Sequence, residues 1–464
     1  MYICNVFSSI KMLLNTNYSS IKMLLNANYS LIKMYRTKIK ELIKWKSDNR
    51  RKPLIVQGAR QVGKTWLIQE FGKTEFKKMV YINFEHDTAL QDLFLKDLHI
   101  PRIITTLEAY SAISISANDT LIVFDEIQSA PKGLTSLKYF NENAPEYYVI
   151  ASDSLLGMNL HNKVSFPVGK VNFLDLYPMN FHEFLFAVGE TGLARILDEK
   201  LWDMLDFFAE KFKEFLRYYF YVGGMPEVVA AFAENRDWKK VRQKQIEILS
   251  TYERDFSKYA PYEIVPRLNM VWQNIPAQLS KENKKFVYGV MKEGARAKDF
   301  ELAIQWLVDS GILLKSHRIS KPFMPLIAYQ DFSAFKLFLN DVGLLAAMSK
   351  LDLKTIILGN TIFTEFKGAI TEQFVMQQLK AAELDYIGYW TNKYSTAEVD
   401  FVVQHEGKII PIEVKASENA KAKSFKLFCE KHHPDFPIRT SLSNHHKESW
   451  MTNVPLYIVG DYLT

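Results

Sequence analysis

Four short stretches of the chain are apolar at nearly every position: residues 53–57 (PLIVQ), 80–84 (VYINF), 121–124 (LIVF) and 147–151 (YYVIA). Runs without polar alternation predict parallel strands covered on both faces. Each run stops at a polar group: Gly58, Glu85, the pair Asp125-Glu126, and Ser152-Asp153-Ser154. In an open parallel sheet such strand ends face the ligand crevice. Residues 35–46 predict a basic amphipathic helix on Ile39, Leu42, Ile43 and Trp45. From 199 to 220 the apolar residues Leu201, Leu205, Phe208, Phe212, Phe215, Leu216 and Tyr219 recur at steps of three and four, which predicts a helix stopped by Gly223-Gly224-Met225-Pro226. A second helix is expected over 237–258, and a third over 302–312 before a strand-like ILLKSHRIS. Towards the C-terminus the pattern predicts a helix at 367–381, strands at 386–390, 397–403 and 408–415, with a Glu406-Gly407 turn between the last two, and a final strand at 455–459.

The first residues follow another rule. IKMLLNTNYSS (10–20) is repeated almost unchanged as IKMLLNANYSL (21–31), and IKMY opens a third copy. Asn-Tyr-Ser clusters favour turns over helix interiors. Residues 1–33 are therefore expected to be a repetitive extension outside the compact fold. The remaining length suits roughly three domains. Charged residues make up 24% of the chain and the formal net charge is +6, a balance that permits contact with nucleic acid without demanding it. Two cysteines, Cys4 and Cys429, exclude a disulfide scaffold and a cysteine-rich zinc site. No run reaches the roughly 18 apolar residues of a membrane span, and Lys11, Lys22 and Lys33 interrupt the early apolar residues; a cytoplasmic protein is expected, with no membrane partner.

The chemistry concentrates at three places. Gly58-Ala59-Arg60-Gln61-Val62-Gly63-Lys64-Thr65 has the spacing G-x-x-x-x-G-K-T, with a strand before it and an apolar helix after it. Backbone N–H groups of such a loop cradle phosphates, Lys64 reaches the β- and γ-phosphates of ATP, and the Thr65 hydroxyl ligates Mg2+. Asp125 is expected to orient the magnesium, and Glu126 to activate the attacking water. Ser152 suits either a contact with the γ-phosphate or a helix cap, and the sequence leaves both open. Near the C-terminus, Glu372 falls on a helix, and Asp400, Glu413 and Lys415 on consecutive strands, with Glu413 and Lys415 on one face. Charges guarding an exposed hairpin edge would read the same way. Four histidines, His432, His433, His445 and His446, stand in adjacent pairs and are expected at the surface. Lys281, Lys284, Lys285, Lys292, Arg296 and Lys298 form a locally positive stretch, a solvated face or a nucleic-acid contact.

GARQVGKT, INFE (82–85), LIVFDEIQ (121–128) and ASDSLLG (151–157) resemble the prokaryotic AAA-type ATPases that carry a DUF4143 domain, over residues 34 to the end. The resemblance implies an α/β chain in four parts: a P-loop AAA-type ATPase core (34–175), a helical lid (176–245), a helical, winged-helix module (246–350) and a restriction-endonuclease-like α/β domain (351–464). GAITEQFV, AEVDFVV and PIEVKAS place Glu372, Asp400, Glu413 and Lys415 where PD-(D/E)xK nucleases hold Mg2+ and a catalytic lysine. The implied function is magnesium-dependent ATP hydrolysis coupled to a nuclease-like domain acting on DNA, or else an ATP-driven scaffold with a non-catalytic C-terminal domain. AAA-type ATPases often assemble in rings, so the resemblance leaves a homo-oligomer open without fixing the oligomeric state. Where the family often has arginine this chain has Lys170, so Arg60, Arg254 and Arg267 are the other candidates for a charge donor.

Overall fold

The computed structural model describes residues 34–154, 167–281, 285–358, 364–392, 397–416 and 423–463. The repetitive segment 1–33 and Lys284 lie outside the described residues.

Five strands build the first sheet: β1 (Leu54–Gly58), β2 (Lys78–Asn83), β3 (Thr120–Asp125), β4 (Tyr148–Ser154) and β5 (Asn172–Asp175). Their order is β2-β3-β4-β1-β5, and all pairs are parallel. All six residues of β3 are buried, as the unbroken apolar run requires of a strand with helices on both faces. Helix Lys64–Glu75 leaves the end of β1 and buries Leu67, Ile68 and Phe71 completely. Each such burial stabilises the layer by about 1.5–3 kcal/mol. Because β4 lies between β1 and β3, the ends of all three converge on one edge of the sheet.

The helical middle begins with Phe181–Ala187, opened by a capping box between Asn180 and Glu183. The helix expected over 199–220 is interrupted. Lys200, at φ 49, ends helix Thr191–Asp198, and Trp202–Phe207 is separate from Ala209–Val222. Helices Pro226–Asn235 and Trp238–Tyr259 follow.

The second sheet has eight strands. They are β6 (Leu313–Ile319), β7 (Gln330–Leu339), β8 (Tyr386–Thr391), β9 (Glu398–His405), β10 (Lys408–Val414), β11 (Ile438–Ser441), β12 (His446–Lys447) and β13 (Thr452–Pro455), in the order β12-β13-β11-β10-β9-β8-β6-β7. The strand-like ILLKSHRIS supplies β6, which pairs antiparallel with β7 and in parallel with β8, so β6 and β7 are the outer pair of strands of this sheet. Helix Thr364–Ala381 packs on β7 and β10. The final strand lies earlier than the expected 455–459: β13 ends at Pro455, and Leu456–Ile458 and Val459–Tyr462 are helical turns instead. Proline has no N–H for the ladder and ends the pairing there. No helix among the described residues is long and apolar enough to cross a membrane.

Candidate functional site

The loop from Gly58 to Gly63 closes over the end of β1. A side chain at Gly58 would meet the carbonyl oxygen of Leu176 at 2.2 Å, so only glycine fits. Gly63 takes φ +93, which side-chain-bearing residues rarely adopt, and it opens helix Lys64–Glu75. Lys64 is buried and donates to the carbonyls of Gly58 and Ala59 at 3.0 Å each. Burial pulls its pKa down to about 8, against the opposing pull of Glu126, Asp153 and Asp125. Its charge thus rests on neutral acceptors, with carboxylates nearby but none bonded to it.

The partners expected at the neighbouring strand ends gather here. Thr65 Oγ1 donates to Asp125 Oδ2 at 3.1 Å. Tyr81 and Ser152 donate their hydroxyls to the same carboxylate, and Asn83 reaches it at 3.4 Å. The Ser152 hydroxyl also accepts the Glu126 N–H at 3.4 Å, and neither of its bonds is the γ-phosphate contact or the helix cap that the sequence left open. Glu126 stands in the left-handed region at φ 52, and Gln128 donates to its carboxylate. Thr65 and Asp125 offer hard oxygen donors side by side, a set that fits Mg2+. Asp153 is fully buried and neither carboxyl oxygen has a hydrogen-bond partner. Burial, then Glu126, pushes its pKa up to about 8, while Lys64 acts the other way.

Arg36 braces the loop from outside. It is buried, donates to Val62 O at 2.7 Å and to Tyr177 O at 2.6 Å, and pairs with Glu183 at 3.2 Å. Arg60 pairs with Asp255 at 2.7 Å, and Tyr252 donates to Arg60 O at 2.9 Å, which ties the loop to helix Trp238–Tyr259. Lys170 pairs with Glu142 and precedes β5, at the edge of the sheet opposite the P-loop. Arg254 and Arg267 are exposed.

In the second sheet the structure brings Glu372, Asp400, Glu413 and Lys415 into one cluster. Lys415 pairs with Glu413 at 2.7 Å, and Val414 N–H donates to Asp400 Oδ2 at 2.8 Å. Burial raises the pKa of Glu413, with Lys415 opposing and Glu372 and Glu398 adding to the rise. Two members were not expected. Lys336 on β7 is wholly buried, ion-paired with Glu398 and 3.6 Å from Glu372. Taken as a metal centre the cluster does not fit: lysines already sit on Glu372, Glu398 and Glu413, and among the described residues no three His, Cys, Asp or Glu side chains are placed to hold an ion.

Two of the histidines expected at the surface are partly covered: His432 packs on Trp390 and Phe428, and His445 on Trp202 at 4.1 Å between ring centroids.

With the geometry in place, three family matches divide the chain. Residues 50–185 match the family described as AAA domain, 213–355 the domain of unknown function DUF8612, and 367–458 the domain of unknown function DUF4143. The chain thus carries an AAA-type P-loop ATPase domain and a separate C-terminal DUF4143 domain. The Walker-type ATPase PABY2304 of Pyrococcus abyssi is similar at 11% identity, over 68% of this chain and 96% of that one, with a TM-score of 0.44. The Aeropyrum pernix ORC1 protein, solved in complex with DNA, is similar at 13% identity over 69% and 94%, with a TM-score of 0.27. CDC6P from Pyrobaculum aerophilum is similar at 11% identity over 71% and 97%, with a TM-score of 0.27. Likeness this distant says nothing of activity. No curated protein sequence matches the chain.

Proposed function

We propose that the protein binds ATP with Mg2+ at Gly58–Thr65, hydrolyses it, and uses the cycle to change how the C-terminal domain meets a partner. The observation that carries this reading is the gathering of Lys64, Thr65, Asp125 and Glu126 at one edge of the parallel sheet, with Thr65 Oγ1 and Asp125 Oδ2 3.1 Å apart. Lys64 and the loop N–H groups bind phosphate, Thr65 and Asp125 hold the magnesium, and Glu126 takes the proton of the attacking water. The metal neutralises charge on the phosphates; positioning falls to the protein.

A buried route supports the coupling. Arg36 joins Val62 to Glu183, and Phe181 at the start of the same helix donates its N–H to Gln378 on helix Thr364–Ala381 at 2.9 Å. That helix also holds Gln377, bonded to Tyr219, Asp341 and Val342, and Glu372 of the cluster. DNA is the proposed partner, with Lys292, Arg296 and Lys298 exposed ahead of and within the first turn of helix Ala297–Asp309. ATP turnover in the presence and absence of duplex DNA tests this: stimulation that fades with added salt is expected, and turnover indifferent to DNA overturns the choice of partner.

The nearness of Asp400, Glu413 and Lys415 is the one observation behind a second reading, in which the C-terminal domain cleaves DNA, and the lysines on Glu372, Glu398 and Glu413 weigh against a metal-dependent form of it. Cleavage that disappears in Asp400→Ala would establish it, and its absence in the wild type would leave a binding domain.

A further inference from the structure

The carboxylates of the second sheet hold more negative charge than a protein interior tolerates without compensation. Glu372, Glu398, Asp400 and Glu413 stand together, and two ammonium groups answer them. Lys415 is partly exposed and lies just past the end of β10, so it can swing away. Lys336 cannot. Its side chain has 0% exposure, its Nζ lies between Glu398 and Glu372, and the ring of Tyr389 lies 4.9 Å below it. Burial alone would lower the pKa of this ammonium, but Glu398, Glu372 and Asp400 together raise it above the ordinary lysine value.

We propose that Lys336 is the resident cation of the C-terminal cluster: its ammonium stands between Glu372 and Glu398 in place of a divalent metal and closes these carboxylates to one. A divalent ion at Glu372 would have to share that carboxylate with an ammonium whose Nζ already stands 3.6 Å from it, and like charges so close repel strongly away from water. The lysine cannot retreat to water, because β7 is buried along its second half, including Lys336 itself. With Lys336 in place, Glu372 fixes helix Thr364–Ala381 against β7 rather than serving as a ligand. Its neighbour Gln373 reinforces the fit, accepting from Leu339 N at 2.9 Å and donating to Leu339 O at 2.6 Å. The inference does not depend on ATP hydrolysis, and it weighs against metal-dependent cleavage.

Titration of the nucleotide-free full-length chain with Mn2+, followed by electron paramagnetic resonance, tests it. Asp125→Asn serves as the background that removes any ion held near the P-loop. In that background no bound Mn2+ is expected, and Lys336→Gln, checked for fold by circular dichroism, should gain one bound Mn2+ per chain that Glu372→Gln abolishes. Mn2+ bound with Lys336 intact and lost on Glu372→Gln overturns the proposal. So does a folded Lys336→Gln chain that takes up none. If Lys336→Gln does not fold, the comparison with Lys336 intact decides alone.

Discussion

Two buried lysines, each ringed by carboxylates, do opposite work in this molecule. Lys64 donates to the carbonyls of its own loop, and its pKa falls to about 8 because burial is not fully answered. Lys336 is bonded to a carboxylate, is 3.6 Å from another, and its pKa rises. Under the proposed function the first ammonium keeps its charge available for a phosphate, and under the proposed cluster the second commits its charge to the fold. A buried cation therefore marks a binding site when its partners are neutral and a structural lock when they are anionic.

The sharpest way to break this comparison is catalytic. Lys64→Ala should lower ATP turnover by about 100-fold or more, while Glu126→Gln should keep nucleotide binding and lose turnover on the same scale. Both are read by phosphate release together with a fluorescent-nucleotide titration. Next in size is stability. Lys336→Met leaves the buried Glu372 and the partly buried Glu398 without their cation and should cost ~3 kcal/mol, whereas Lys64→Met removes an uncompensated buried charge and should leave the melting temperature unchanged or raised. Matching losses in the two variants would erase the distinction. Arg36→Ala should resemble the first of these, since it strands Glu183 and frees the Val62 carbonyl, and it should weaken ATP binding as well.

A smaller effect concerns Asp341, which accepts N–H groups from Gly224 and Leu344 and a side-chain donor from Gln377. Burial raises its pKa from 3.8 to about 6. The folded chain therefore keeps this proton longer than the unfolded one, and the resulting stabilisation, complete below about pH 4, is lost as the pH rises through 6. Two pKa units are worth about 3 kcal/mol. Unfolding free energies of the wild type and Asp341→Asn, read from denaturant titrations, should diverge by up to that amount between pH 4 and pH 7, with the wild type losing ground. The smallest effect is expected at Lys170→Ala, an exposed pair with Glu142: less than about 1 kcal/mol and no change in turnover.

The P-loop end was legible because its chemistry is local. Eight consecutive residues set the loop, and unbroken apolar runs announce the strands whose ends carry Asp125, Glu126 and Ser152. Arg36 was not legible, because nothing in its neighbourhood says that it will meet Val62 across 26 positions. Lys336 was hidden for a related reason. In FKLFLN it occupies an alternate position that reads as the outer face of a strand, and only the packing of helix Thr364–Ala381 on β7 makes that position interior. Glu372, Asp400, Glu413 and Lys415 were found as a set from their order along the chain. What sequence order could not give was which charges neutralise which.

The β6–β8 pairing has a practical consequence for anyone dividing this gene. A fragment beginning at Thr364, which respects the family match at 367–458, would leave one flank of β8 without the strand that satisfies it at His317–Ile319. An open flank of that kind recruits other copies, so such a fragment is expected to precipitate, and the first cut that spares the ladder lies upstream of Leu313.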